Sequence, residues 1–201
     1  MKLKRILSLA AAGVLAVSML TGCFGGGNGN KVSVAGNFVS TLNGATNANP
    51  EIESNQKLTN AIRSVAEDLT VAEAGKGVAN ADILKAVREK TDTVEKTQLD
   101  TPSAWAAVNE SKKFSTVFIY EADGKSVSNL ANEVANDIFK VINLKNATDG
   151  KTTDGKAFTN EYETYAAAVE VTIPGDDIAA STSVYVVGIQ INRTTTDKPA
   201  Q

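Results

Sequence analysis

Apolar residues recur along this chain at two main spacings, and each predicts a different kind of element. Leu58, Ile62, Val65 and Leu69 stand four, three and four apart, which gathers them on one face of an α-helix over residues 56–72. Gly75 and Gly77 punctuate that run, and Asn80 is placed to cap a second helix whose inward stripe is Ile83, Leu84, Val87, Thr91 and Val94. Two amphipathic helices with a short connection predict an antiparallel pair. Thr101-Pro102 breaks the pattern, and Ser103–Val108 reads as a short third helix carrying the lone tryptophan, Trp105, as a core or interface residue.

The second half of the chain changes period. Phe114–Tyr120 is a short run of aromatic and β-branched residues, which predicts a well-buried strand. Ser126 then caps a helix in which Val127, Leu130, Val134, Ile138 and Val141 form a broad stripe with Ala131, Ala135, Phe139 and Ile142. Residues 145–161 contain little that is apolar beyond Phe158 and carry the repeats Thr148-Asp149-Gly150-Lys151 and Thr153-Asp154-Gly155-Lys156, so a long exposed loop is expected. Tyr165, Ala167, Val169, Val171 and Ile173 alternate along one strand, and Tyr185, Val187, Ile189 and Ile191 along another. Pro174-Gly175-Asp176-Asp177 opens the connection of a hairpin, although alanine and glutamate leave a helical start over Glu161–Ala168 open. In residues 31–50, Val32, Val34 and Phe38 hint at a strand while Gly36, Asn37, Asn43 and Gly44 argue for loop. The order predicts an α+β fold: an N-terminal helical pair, then strand, helix, strand, strand, with the helices packed on one face of a small sheet.

The first 23 residues follow other rules. Lys2, Lys4 and Arg5 precede an apolar run from Ile6 to Leu20, too short for the roughly 20 residues of a membrane span. Small residues and Cys23, the only cysteine of the chain, close it. Leu20-Thr21-Gly22-Cys23 resembles the lipobox of bacterial lipoproteins. That resemblance implies cleavage before Cys23, acylation of its sulfur, and anchorage on the extracytoplasmic side of the bacterial cell membrane; it does not extend past Cys23. Two acyl chains make such an anchor effectively permanent, since each buried methylene contributes about 0.8 kcal/mol. The expected organisation is therefore a signal peptide at 1–22, the lipidated cysteine and a glycine-rich tether at 23–50, one extracytoplasmic domain at 51–195, and a polar, fraying tail at 196–201.

Composition narrows the chemistry. The full chain carries 20 Lys and Arg against 23 Asp and Glu, and loss of Lys2, Lys4 and Arg5 takes its formal charge from −3 to −6. An acidic surface repels nucleic acid, which is not expected as a partner. There is no histidine, and Cys23 is committed to the lipid, so zinc, copper and haem sites lack their usual ligands and a histidine-based triad lacks its base. No cofactor, metal or catalytic residue is assigned.

Several groupings invite a functional reading and carry a plainer one. Gly124-Lys125-Ser126 lies between strand and helix as a phosphate loop would, but the glycine due five residues earlier is Ile119. A turn and a helix cap explain it. The Asp-Gly pairs at 123, 149 and 154 lack the alternating oxygen donors of a calcium loop and read as turns. Glu161, Glu163, Glu170, Asp176 and Asp177 are the candidates for carboxylate catalysis, with solvated surface as the default. Tyr162, Tyr165 and Tyr185 suit core packing more than an exposed stacking surface, because alternation separates the first two. The expected function is that of a lipid-anchored, non-catalytic binding or structural component of the envelope, its partner an envelope protein or polysaccharide. The alternative is a carboxylate-dependent hydrolase of wall polysaccharide.

Overall fold

The computed structural model describes residues 29–46, 51–95, 109–139, 144, 148–152, 154–175 and 180–198. The signal, Cys23, Trp105 with its expected helix, Val141, Ile142, Asp176 and Asp177 lie outside them. In chain order the elements are β1 (Lys31–Val34), α1 (Phe38–Thr46), β2 (Ile52–Ser54), α2 (Gln56–Glu67), a 3-10 turn (Val71–Glu73), β3 (Gly77–Val78), α3 (Ala81–Thr91) and β4 (Val94–Glu95). There follow β5 (Lys112–Glu121), α4 (Val127–Val134) with a π-helical turn (Ala135–Phe139), β6 (Asp149–Lys151), β7 (Ala157–Ile173) and β8 (Thr182–Asp197). Helix and strand are mixed, and all the strands join one sheet.

Three long strands form its middle, in the order β7-β8-β5, each antiparallel to its neighbour. Shorter strands line the two outer edges. Along β7 these are β6 opposite Ala157–Thr159, β2 opposite Thr164–Ala166 and β1 opposite Val169–Thr172; along β5 they are β4 and β3. Among the described residues, only β2 and β4 run parallel to their partners.

The helices cover both faces of this sheet, not the single face expected. One layer is α2 and α3, which bury Leu58, Ile62, Ile83, Leu84 and Val87 against Val117, Ile119, Val169, Val171, Val184 and Val186. The other is α1 and α4, which bury Phe38, Leu42, Leu130 and Val134 against Ala166, Tyr185, Val187, Ile189 and Ile191. The reason lies in β8, where Val184 to Ile191 are buried without interruption. A strand with both faces covered reads as a continuous apolar run, and its odd-numbered alternation was only half of that signal. The two alternating sets thus point to opposite layers, the Tyr165 set toward α2 and α3 and the Tyr185 set toward α1 and α4.

Local chemistry sets the helix ends. Asn55 Oδ1 accepts from the Leu58 amide at 3.0 Å, Asn80 Oδ1 from Asp82 and Ile83 at 3.1 and 3.0 Å, and Ser126 Oγ from Asn129 at 3.2 Å. Helix α2 ends at Glu67, before the expected 72, and Val94 leaves the α3 stripe for β4, where it is 40% exposed. A turn at Asp92, with φ 56°, separates it from the helix.

Four further expectations change. The loop assigned to 145–161 holds β6 and the first residues of β7, so its tandem repeat becomes a hairpin turning at Gly155, with φ +83°. No helix begins at Glu161. The tail expected to fray from residue 196 instead begins inside β8, which continues to Asp197, paired with Phe158. The tether also ends earlier than residue 50: Lys31–Val34 pair with β7, and Phe38 and Leu42 of α1 are buried. Asn43 joins α1 to β2 by accepting from the Ile52 amide at 2.9 Å and donating to the Ile52 carbonyl at 2.7 Å.

Candidate functional site

Toward the start of β7 and the end of β8, the α2–α3 layer stops while the sheet continues. On that face the side chains turn polar in ordered cross-strand rows. Glu163, Asn192 and Lys113 sit side by side across β7, β8 and β5; Tyr165, Gln190 and Ser115 form the next row inward. Side chains on one face of neighbouring strands stand about 4.5–5.5 Å apart, so each row is in contact range. A cleft of about 430 Å³ opens over the outer row. Its wall is Asp92, Thr93 and Val94 at the end of α3, and its floor includes Lys113, Glu163, Asn192 and Thr194.

Hydrogen bonds tie the rows together. Gln190, only 5% exposed, donates through Nε2 to Asn192 Oδ1 at 2.9 Å. Asn192 Nδ2 donates to Glu163 Oε2 at 3.3 Å, and the Tyr165 hydroxyl donates to the same oxygen at 3.0 Å. Burial, then the hydrogen bond to Glu163, pushes the Tyr165 hydroxyl up to about 12, so it remains a donor at neutral pH. Thr93 and Ser115 hydroxyls bond at 2.5 Å and pin the wall to β5. The chain of polar groups from Gln190 to Glu163 is therefore oriented from beneath.

The opposite face of the same strand ends is closed. Asn160, Tyr162 and Arg193 are buried there, and Arg193 Nε donates to the Glu110 carbonyl at 2.7 Å. Its guanidinium carbon lies 5.3 Å from the centre of the Phe114 ring, within cation–π range. Burial raises the Tyr162 hydroxyl above its ordinary range, and the Arg193 charge opposes that shift. Arg193 is thus a structural cation under the cleft floor.

Of the carboxylates singled out from sequence, Glu161 and Glu163 stand two apart on the bare face, while Glu170 points to the other face. They do not flank a common space. The cleft instead brings Glu163 together with Asp92, which the sequence reading did not select. Both are exposed. The general acid of a glycoside hydrolase sits in an apolar pocket, whereas these two carboxylates face solvent. Tyr162 and Tyr185 are buried in the α1–α4 layer, and Tyr165 is half-buried at the inner end of the cleft network.

The remaining groupings resolve into local structure. Gly124 takes φ +66° in the β5–α4 turn, Lys125 bonds the Glu133 carboxylate, and Ser126 caps α4. Asp149 accepts from Thr159 and Lys198, each at 3.0 Å, and Asp154 from Thr152. Among the described residues, no three His, Cys, Asp or Glu side chains come together as metal ligands would. No family model matches the chain, and no curated protein or solved structure matches it either.

Proposed function

We propose that this chain is an exported lipoprotein, anchored through acylated Cys23 on the extracytoplasmic side of a bacterial membrane, whose domain is a non-catalytic binding or structural component of the envelope. The observation that carries this reading is the order of Lys2-Leu3-Lys4-Arg5, the apolar run to Leu20, and Leu20-Thr21-Gly22-Cys23. The position of the fold agrees with it, since β1 begins at Lys31, soon after the cysteine. The exposure of both cleft carboxylates favours binding over hydrolysis. The hydrolase remains the second reading because Asp92 and Glu163 line one cleft.

Metabolic labelling with a fatty acid tests the anchor. The wild-type chain should carry label and sediment with membranes, and Cys23→Ala should accumulate as unlabelled precursor or released protein. Equal labelling of the variant would refute the proposal. Release of reducing ends from wall polysaccharide by the wild-type chain, lost in Glu163→Gln, would replace the binding reading with the hydrolase.

A further inference from the structure

We infer that the cleft beyond the α2–α3 layer is a binding site for a neutral oligosaccharide and that the domain presents it away from the membrane. The second part rests on the Cys23 anchor; the first stands without it.

The lining selects the ligand class. Among the described residues, Lys112, Lys113 and the Ser111 and Thr194 hydroxyls supply donors, Glu163 and Asp92 supply acceptors, the buried Arg193 lies beneath, and Val94 is the single apolar side chain at the rim. Among the described residues, a lipid tail or an apolar peptide anchor finds no seat there. A phosphate would meet Asp92 and Glu163, and a simple cation would meet Lys113. Closely spaced donors and acceptors suit a ligand whose groups both donate and accept, which is the chemistry of sugar hydroxyls. Glu163 is prepared for this role, because Asn192 and Tyr165 both bond Oε2 and, among the described residues, Oε1 takes no bond. The buried amide of Gln190 fixes Asn192 in turn. Groups already held in place lose little freedom when a ligand arrives.

The orientation follows from where the chain enters the fold. Asn30 Nδ2 donates to the Ala66 and Leu69 carbonyls at 3.0 and 2.7 Å, which ties the entry point to the far end of α2. Lys31 pairs with Thr172, whereas the cleft row contains Glu163 on the same strand. At about 3.3 Å per residue, those two levels of β7 are roughly 30 Å apart. The residues from Cys23 to Gly29 reach at most about 25 Å when fully extended. The entry end is therefore held close to the bilayer, and the cleft opens at the opposite end of the sheet.

The test uses the full chain, acylated and in detergent micelles, titrated with a linear tetrasaccharide of N-acetylglucosamine while backbone amide resonances are followed. Saturable shifts at Asp92–Val94, Lys113 and Asn192–Thr194 are expected, and Asn192→Ala should weaken binding by about tenfold, as for a lost hydrogen-bonded support. Absence of saturation, shifts confined to another surface, or the same shifts produced instead by inorganic phosphate or an acidic hexapeptide would overturn the ligand assignment. In vesicles carrying headgroup spin labels, amides of Asn30 and Lys125 should broaden before those of Asn192 and Thr196. The reverse order, with Cys23→Ala released from the same vesicles, would overturn the orientation while leaving the anchor intact.

Discussion

The two halves of the β7–β8 hairpin share one pairing register yet live in different surroundings. From Thr164 to Ile173 and Thr182 to Ile191 the strands are sandwiched, with α2 and α3 on one face and α1 and α4 on the other. From Ala157 to Glu163 and Asn192 to Asp197 one face stays closed while the other loses its helices and shows Glu161, Glu163, Thr194 and Thr196 to solvent. Backbone pairing continues unchanged across that boundary. The contrast shows that strand continuity is carried by pairing and by one buried face. The second face is thereby free to specialise, as packing surface in one half and as a polar cleft in the other.

The largest expected effect strikes the sandwiched half. A Cβ at Gly188 would stand 2.8 Å from Ile62 Cγ2 and 3.0 Å from Leu58 Cδ1, so α2 lies on β8 at a distance only glycine permits. Gly188→Val should force α2 off the sheet and destabilise the domain by about 3 kcal/mol, the upper end of the usual overpacking cost, seen as a lower urea midpoint. An unchanged midpoint would mean that the two layers are not held as tightly as their contacts imply.

A smaller, pH-dependent effect is expected at α4. Burial alone would raise the Glu133 carboxyl, but hydrogen bonds from Lys125 and Lys76 overcome it and hold the group below its ordinary value. A folded pKa below the unfolded one contributes stability that is present at pH 7 and lost as pH falls through the folded value. Glu133→Gln should therefore cost about 1 kcal/mol at neutral pH, with partial solvent screening allowed for, and the gap to wild type should close in acid. A gap that widens on acidification would contradict the assignment. The smallest effect belongs to the bare half: Thr196→Ala should leave stability within about 0.5 kcal/mol, measured by the same urea titration. A larger loss would show that the polar face is bearing on the fold after all.

Much of the element content was legible, and the misses share a cause. The stripes of α2, α3 and α4 and the apolar runs of β5, β7 and β8 announce themselves because hydrophobic period and local geometry agree. The outer half of β7 also alternates, with Phe158, Asn160, Tyr162 and Thr164 facing inward, but two of those four are polar and the signal looks like loop. Asn160 is tolerated there because Thr195 Oγ1 bonds its Oδ1 at 2.6 Å, a partner 35 residues away. Helix α1 escaped notice for a similar reason, since Phe38 and Leu42 are the only two residues on its buried face and Asn43 looks like a turn former until its bonds to Ile52 are known. The cleft was visible only as Glu163. Its partners Lys113 and Asn192 are neighbours by strand register and Asp92 by the packing of the α3 end over the sheet, and both are tertiary facts.

The patchwork of short strands along the sheet rims bears on how copies of the chain meet at high concentration. A long bare strand margin invites the same margin of a neighbouring molecule to add on, and repetition of that step builds fibrils. Here β6, β2 and β1 break up the rim of β7, and β3 and β4 that of β5, so among the described residues no long stretch of unpaired amides is offered. Copies of the chain brought together at high concentration can then collide edge to edge without polymerising.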